Sequence, residues 1–113
     1  MSKIRIYKTL RRNMKFEQEL WFAICSLASN SDNIKKRLER AYEYHIAYLE
    51  PENLPQKNNR KKLERIKNKL TKNHTKPVNE AIYYLPLKSC HAMVSTLCDI
   101  YWEFIHFEWN QNH

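Results

Sequence analysis

The chain has 113 residues, contains no glycine and carries a formal net charge of +8. Walker-type phosphate loops and dinucleotide fingerprints need glycine where the backbone approaches the ligand, so the composition excludes both classes of site. Glycine-containing two-residue hairpins are excluded as well, and we therefore expect an all-α domain.

The first predicted helix runs from residue 14 to residue 29. Its apolar residues include Phe16, Leu20, Ile24 and Leu27, which recur at helical spacing, and Asn30 follows as a left-handed C-cap. Before this helix, residues 1–13 fit either a short strand or a flexible arm. We therefore expect a basic N-terminal arm over residues 1–15 and one helical-bundle domain over residues 16–113.

Two further helices are predicted in the middle of the chain. Ser31 or Asp32 is the expected N-cap of a helix that runs through Glu50 and is stopped by Pro51. The next helix is expected over residues 56–70, with a narrow apolar stripe. That stripe consists of Leu63, Ile66 and Leu70.

Prolines divide the rest of the chain into a short and a long helix. Pro77 is expected to open a short helical turn that reaches about Leu85, and Pro86 interrupts it. Ser89 is the expected N-cap of the last helix, which is rich in aromatic residues. The pattern predicts a compact bundle of four main helices and one short helix.

The positive charge is concentrated in two segments. Residues 1–15 carry +6 and residues 56–76 carry +8, whereas residues 16–55 and 77–113 each carry −3. Basic segments of this kind indicate a polyanion-binding surface, although a solvated helix face is the alternative. The candidate nucleic-acid-binding residues are Arg11, Arg12, Lys57, Arg60, Lys61, Lys62, Arg65, Lys69 and Lys72.

Aromatic residues near the C-terminus are candidates for a protein interface. By spacing most of them belong to the core, but Phe104 and Phe107 fall partly off the apolar stripe. An exposed aromatic patch marks a partner or dimer interface. The candidate interface residues are Trp102, Phe104, Phe107 and Trp109, and a homodimer is one assembly they would allow.

The sequence favours neither a membrane, nor a metal, nor a cofactor. Its longest strictly apolar run is six residues, and the basic N-terminus is not followed by an apolar signal core. The five histidines and three cysteines lack zinc-ligand spacing. The odd number of cysteines favours reduced thiols, with Cys90 and Cys98 in the core, and a cytoplasmic location.

The spacing of Arg40 and His45 resembles the R-x4-H signature of HEPN-type ribonucleases, which are helical bundles of similar size. The resemblance implies that these two residues act on an RNA phosphate, in a site built by dimerisation. Proton transfer and charge stabilisation need such a pair. The alternative is that His45 faces the bundle interior together with Tyr42 and Ile46.

Residues 34–55, IKKRLERAYEYHIAYLEPENLP, carry a second resemblance. Together with looser similarity over residues 33–101, they resemble a group of small helical proteins of bacteria and phages to which no activity is attached. The resemblance implies a bacterial or phage origin and scaffold roles for three pairs of residues: Arg37-Leu38, Ala41-Tyr42 and Tyr44-His45.

Three functions follow from these patterns. The first is a non-enzymatic module that docks on nucleic acid or a nucleoprotein complex, as an accessory subunit of a bacterial defence or mobile-element system. The second is an inhibitor, such as a phage anti-defence protein, that binds an acidic protein surface. The third is a HEPN-like ribonuclease with Arg40 and His45 in its site.

Overall fold

The computed structural model describes residues 3–28, 32–71 and 77–112, with the side chains of residues 15–28, 32–71, 77–107, 109 and 110. Within these ranges the chain is helical and has no strand, which confirms the expected all-α bundle. The helices are α1 (Lys3–Ala28), α2 (Ile34–Tyr44), α3 (Lys57–Leu70), α4 (Val78–Tyr83) and α5 (Leu87–Asn112). Two 3₁₀ turns, Ile46–Tyr48 and Pro51–Asn53, connect α2 to α3.

The first helix begins much earlier than the apolar pattern predicts. Backbone from Lys3 onward is helical, so the short strand considered for residues 1–13 is wrong. Residues 3–15 form one continuous helix with residues 16–28, and the basic segment is therefore part of α1. Residues 1–28 contain neither proline nor glycine, and lysine, arginine and leucine are good helix formers, so nothing interrupts the helix.

The core lies where α1, α2, α3 and α5 meet. Helix α1 buries Phe16, Leu20, Ala23 and Leu27, which lie four, three and four residues apart on one face. The longest helix pair, α1 and α5, packs together, and α2 contacts both of them. This arrangement leaves α3 on one side of α5, where it also contacts the second 3₁₀ turn.

The second helix ends earlier than predicted, at Tyr44 rather than Glu50. Its N-cap is Asn33, whose side chain accepts a hydrogen bond from the backbone N–H of Lys36 at 3.0 Å. The backbone turns at His45, and the following 3₁₀ turn buries Ile46 and then Leu49. A 3₁₀ turn that buries these two residues against the bundle therefore stands where further turns of α2 were expected.

Both helices predicted after residue 76 are present, but each begins at a different residue from the one predicted. Pro77 is the N-cap of α4, which spans Val78–Tyr83. The last helix begins at Leu87, since the Pro86 carbonyl accepts from the N–H groups of Ser89 and Cys90. Ser89 therefore lies inside α5 and is not its N-cap.

Cationic side chains satisfy carbonyl groups where helical segments end. Arg37 Nη1 donates to the Leu27 carbonyl oxygen at 2.8 Å, in the last turn of α1. Lys35 Nζ donates to the Tyr83 carbonyl oxygen at 2.6 Å, at the end of α4. The last carbonyls of a helix lack partners within the helix, and a glycine in the left-handed conformation is their usual solution. No described residue has a positive φ, and at these two helix ends a cation satisfies one carbonyl oxygen. The predicted C-cap Asn30 lies outside the described residues.

Candidate nucleic-acid interface

Helix α3 presents two chemically different faces. Leu63, Ile66 and Leu70 are buried as predicted, and the amide residue Asn59 is buried with them. The Asn59 side chain donates to Gln56 Oε1 at 2.5 Å, which the apolar pattern does not predict. A stripe this narrow leaves most of the circumference of the helix to polar residues.

Six cations occupy the rest of that circumference, and we call them the cationic face. Five of them are exposed and Lys62 is half-buried. None lies within 4.0 Å of a carboxylate oxygen in the described part of the chain. Glu64 is the only acidic residue of the helix. The cationic face consists of Lys57, Arg60, Lys61, Lys62, Arg65 and Lys69.

The side chains of the other predicted nucleic-acid-binding residues are not among those that the structure describes. Lys72 lies outside the described residues. Arg11 and Arg12 lie on the N-terminal half of α1, where only the backbone is described. The cationic face of α3 is therefore the part of the predicted surface whose geometry can be stated.

A groove of about 260 Å³ runs between α3 and α5 beside the cationic face. Lys62, Arg65 and Lys69 line it from α3, and Ser89 and Thr96 line it from α5. The Thr96 hydroxyl donates to the Ala92 carbonyl oxygen at 2.8 Å. The hydroxyl oxygen of Thr96 can therefore still accept a hydrogen bond from a ligand. Three cations along one wall make the groove suited to an anionic chain rather than to a neutral ligand.

Lys67 lies on the same helix but has a different role. Its Nζ donates to the Leu49 carbonyl oxygen at 2.7 Å and lies 3.4 Å from that of Ala47. These carbonyls belong to the segment that leaves α2, where the regular ladder of helix hydrogen bonds has ended. Lys67 therefore ties α3 to the rest of the bundle and is a structural cation.

Arg40 and His45 have separate carboxylate partners. Arg40 Nη1 lies 2.8 Å from Asp32 Oδ2 at the surface, whereas His45 Nδ1 lies 3.1 Å from Glu19 Oε2. His45 is the C-cap residue of α2 and lies beyond the regular helix that carries Arg40. His45 is half-buried, and its ring packs near Phe22 at a centroid distance of 5.9 Å. The structure thus assigns each residue a local structural contact.

A groove of about 470 Å³ lies between α1 and the segment that connects α2 to α3. Tyr44 and Tyr48 line it with exposed rings, and Lys15, Glu19 and Asn53 supply polar groups. The sequence patterns do not predict this groove, because it forms only when the chain turns at His45. The four-residue spacing of the two tyrosines is the only sequence signal for it.

The candidate aromatic interface on α5 is partly wrong. Phe104 is buried in the core, where its ring packs on Phe16 at a centroid distance of 5.4 Å. It lies seven residues after Leu97 and continues that apolar stripe, which is the signal that places it inside. Trp102 and Trp109 are exposed, and Phe107 is half-buried. The exposed aromatic surface of this helix end therefore excludes Phe104.

A larger groove, of about 740 Å³, lies between α2 and α4. Tyr83, Tyr84 and Leu87 line it and are strongly exposed. Lys35 crosses it, since its Nζ lies 5.6 Å from the centroid of the Tyr83 ring. The groove offers an apolar surface to a partner, with both charge signs represented by Lys36, Glu39 and Glu80.

The cysteines divide between core and surface. Cys90 is buried as expected, whereas Cys98 is exposed, so the prediction for Cys98 is wrong. Burial raises the pKa of the Cys90 thiol. Partial desolvation and the neighbouring Asp99 carboxylate raise the pKa of the Cys98 thiol. No disulfide joins the three cysteines, all of which belong to the described part of the chain.

The described residues contain neither a metal-binding cluster nor a membrane-spanning helix. No group of three or more histidine, cysteine or acidic side chains there is placed to hold a metal ion. No helix in the same part of the chain is both long and apolar enough to cross a membrane. Comparisons with protein-family models, with curated proteins and with solved structures give no match.

Proposed function

We propose that this protein is a non-enzymatic module that docks on nucleic acid, alone or in a nucleoprotein complex, through the cationic face of α3. The observation that carries the proposal is the set of six cations on one helix with no carboxylate partner among the described residues. A helix that keeps unpaired like charges side by side gives up stability. Binding to a polyanion compensates that cost, because each contacted phosphate pairs with a cation and releases counterions.

The layout of charge supports a surface that tracks a phosphate backbone. Helix α3 is 14 residues long, which corresponds to about 21 Å. Its cations continue along that length, and Ser89 of α5 adds a hydroxyl group to the groove that can donate to a phosphate oxygen. Arg11 and Arg12 of α1 belong to the same proposal as a second basic segment. A role as an accessory subunit of a bacterial defence or mobile-element complex accords with these properties.

The salt dependence of binding tests the proposal. We expect RNA or DNA oligonucleotides to bind at 50 mM salt and to weaken steeply by 200 mM salt. The double variant Lys61→Glu/Arg65→Glu should lower affinity at least about tenfold and reduce the slope of log K against log salt by about 1.4 to 1.8. Fluorescence anisotropy over a salt series measures both quantities.

A matched variant controls for the change in total charge. Lys36→Glu/Lys88→Glu reverses two exposed lysines outside α3 and alters the net charge by the same amount. We expect it to weaken binding much less than the α3 variant does. Equal effects of the two variants would remove α3 as the binding surface, and no binding at 50 mM salt would overturn the proposal as a whole.

A protein partner is the second candidate, and the groove between α2 and α4 favours it. Its exposed Tyr83, Tyr84 and Leu87 form an apolar surface that a partner would cover. In this case the protein acts as an inhibitor or accessory subunit. Affinity purification with and without nuclease separates the two candidates, because a directly bound protein survives nuclease treatment. The variant Tyr84→Ala should then reduce recovery of that protein.

A further inference from the structure

We propose that the groove between α1 and the segment that connects α2 to α3 holds an unpaired base, so that the ligand is a single-stranded nucleic acid. This inference rests on the proposed function and names the ligand class more narrowly. The groove has a volume of about 470 Å³, within the usual range of small-ligand sites. Tyr44, Tyr48, Lys15, Glu19 and Asn53 surround a floor formed by the buried residues Phe16 and Leu49.

The two tyrosines supply surfaces on which bases can stack. Tyr44 is 63% exposed and Tyr48 is 67% exposed, although both belong to a residue type that usually buries most of its ring. The Tyr48 ring contacts no other aromatic ring among the described residues, and Tyr44 only approaches that of His45, at 6.5 Å. Aromatic rings with open faces next to cations are the recurring feature of single-strand-binding surfaces.

The polar groups of the groove can recognise the edge of a base. Glu19 Oε2 accepts from or pairs with His45 Nδ1 at 3.1 Å, while its Oε1 has no hydrogen bond within the described part of the chain. A carboxylate oxygen accepts from the exocyclic amine of a base. The Asn53 side chain adds a donor and an acceptor. Adenine, cytosine and guanine carry such an amine and uracil does not, so the groove favours the first three.

The groove is connected to α3 through the second 3₁₀ turn. Its Asn53 belongs to the 3₁₀ turn that packs on α3, and α3 begins only four residues later, at Lys57. On the opposite wall, Lys15 continues the basic segment of α1. A strand whose backbone runs along α3 therefore reaches a base-sized groove with a second cation beyond it. A duplex would keep its bases stacked and could not use the groove without unpairing them.

Single strands and duplexes of the same sequence test the ligand class. We expect 12-nucleotide single strands, made as RNA and as DNA, to bind the full chain at least about tenfold tighter than their duplexes. Fluorescence anisotropy at one fixed salt concentration gives the comparison. Tighter binding of the single strand supports the inference, and equal or tighter binding of the duplex in both sugar types overturns it.

A pair of double variants tests the groove itself. Tyr44→Ala/Tyr48→Ala should weaken single-strand binding about tenfold or more and leave duplex binding unchanged. Tyr83→Ala/Tyr84→Ala is the matched control, because these two tyrosines are equally exposed but line the other groove. Tyr44→Phe/Tyr48→Phe should retain affinity, since phenylalanine stacks as well. Equal losses in the two alanine pairs would contradict the assignment of the groove.

The base preference gives a readout that general unfolding would not mimic. Oligo(A) and oligo(C) should bind tighter than oligo(U), and Glu19→Gln should narrow that difference, because an amide can also donate to a uracil carbonyl. An unchanged preference in this variant, with helicity intact by circular dichroism, would exclude Glu19 as the recognising group. If α3 variants lose binding while the tyrosine variants do not, the proposed function stands and this inference fails.

Discussion

Helices α3 and α5 lie against each other but differ in how much of their surface is apolar and how much is charged. Helix α5 buries five residues between Cys90 and Phe104 and also packs three partly buried hydrophobic residues against the core, which widens its contact; these are Val94, Tyr101 and Ile105. Helix α3 buries three aliphatic residues and one asparagine, and the rest of its surface is largely cationic. The composition of α5 is that of a helix packed against a core. Helix α3 keeps a cationic composition that packing does not require, and the proposed docking on nucleic acid would account for it.

The different composition changes how each helix is held in place. Helix α5 is stabilised mainly by burial of its apolar residues. The narrow stripe of α3 is supplemented by Lys67, which hydrogen-bonds to the Leu49 carbonyl on a neighbouring segment. By contrast, no residue of the cationic face forms an ion pair with a described carboxylate. Stability and binding are therefore separable on α3, residue by residue, and the following changes test that separation.

The largest effect is expected in the core of α5. Leu97 is fully buried, and Leu97→Ala should lower the free energy of unfolding by about 2 to 5 kcal/mol, through lost burial and the cavity left behind. Urea denaturation followed by circular dichroism measures it. Ser95→Ala, at an exposed position two residues earlier, is the control and should change stability little. A loss below 1 kcal/mol in Leu97→Ala would contradict the assigned packing of α5.

A smaller loss is expected for the structural cation of α3. Lys67→Ala should cost about 1.5 to 3 kcal/mol, because it removes a charged donor and leaves the Leu49 carbonyl without that partner. Lys69→Ala, two residues away and exposed, should leave stability within about 0.5 kcal/mol while weakening nucleic-acid binding. Chemical denaturation and binding assays on both variants give the comparison. Similar stability losses would show that the two lysines are equivalent.

Alkaline conditions should weaken the bundle moderately. Burial raises the pKa of Tyr42, Cys90 and Tyr101 above their ordinary values, and the Glu17 carboxylate contributes at Tyr101. A raised pKa means that the unfolded chain loses its proton first, so stability is full below the ordinary value and falls as pH rises past it. We expect a lower Tm at pH 10 than at pH 8. Tyr101→Phe removes one of these groups and should reduce the fall.

The smallest effect is expected at the surface ion pair of α2. Arg40 and Asp32 are both substantially exposed, so Arg40→Ala should change the free energy of unfolding by no more than about 1 kcal/mol. Thermal denaturation at low and high salt measures it, and salt should reduce the difference between variant and parent chain. A loss much greater than that of Lys67→Ala would mean that Arg40 has a structural role beyond this pair.

The spacing of apolar residues predicts a helix well where only one face of that helix can be buried. The third helix was expected over residues 56–70 and spans Lys57–Leu70, because its three aliphatic residues leave only one side that can be buried. The same reasoning missed Asn59, since an amide is buried only when a local partner such as Gln56 is available.

Predictions failed where contacts distant in sequence set the outcome. Tyr44 ends α2 because burial of Ile46 and Leu49 and the contact between His45 and Glu19 favour a turn there, and Pro51 is too far along the chain to cause it. The groove lined by Tyr44 and Tyr48 follows from that turn. Local periodicity does not reveal this contact, because Glu19 and His45 are 26 residues apart in the sequence.

The cations that satisfy carbonyls at the ends of α1, α4 and the first 3₁₀ turn affect how the molecule folds. A glycine stop is encoded locally and forms with its own helix. Arg37, Lys35 and Lys67 instead reach carbonyls that are 10, 48 and 18 residues away. Each of these helix ends becomes defined only when two elements have docked. We therefore expect helix boundaries and tertiary packing to form in one cooperative step, with little partly folded material between them.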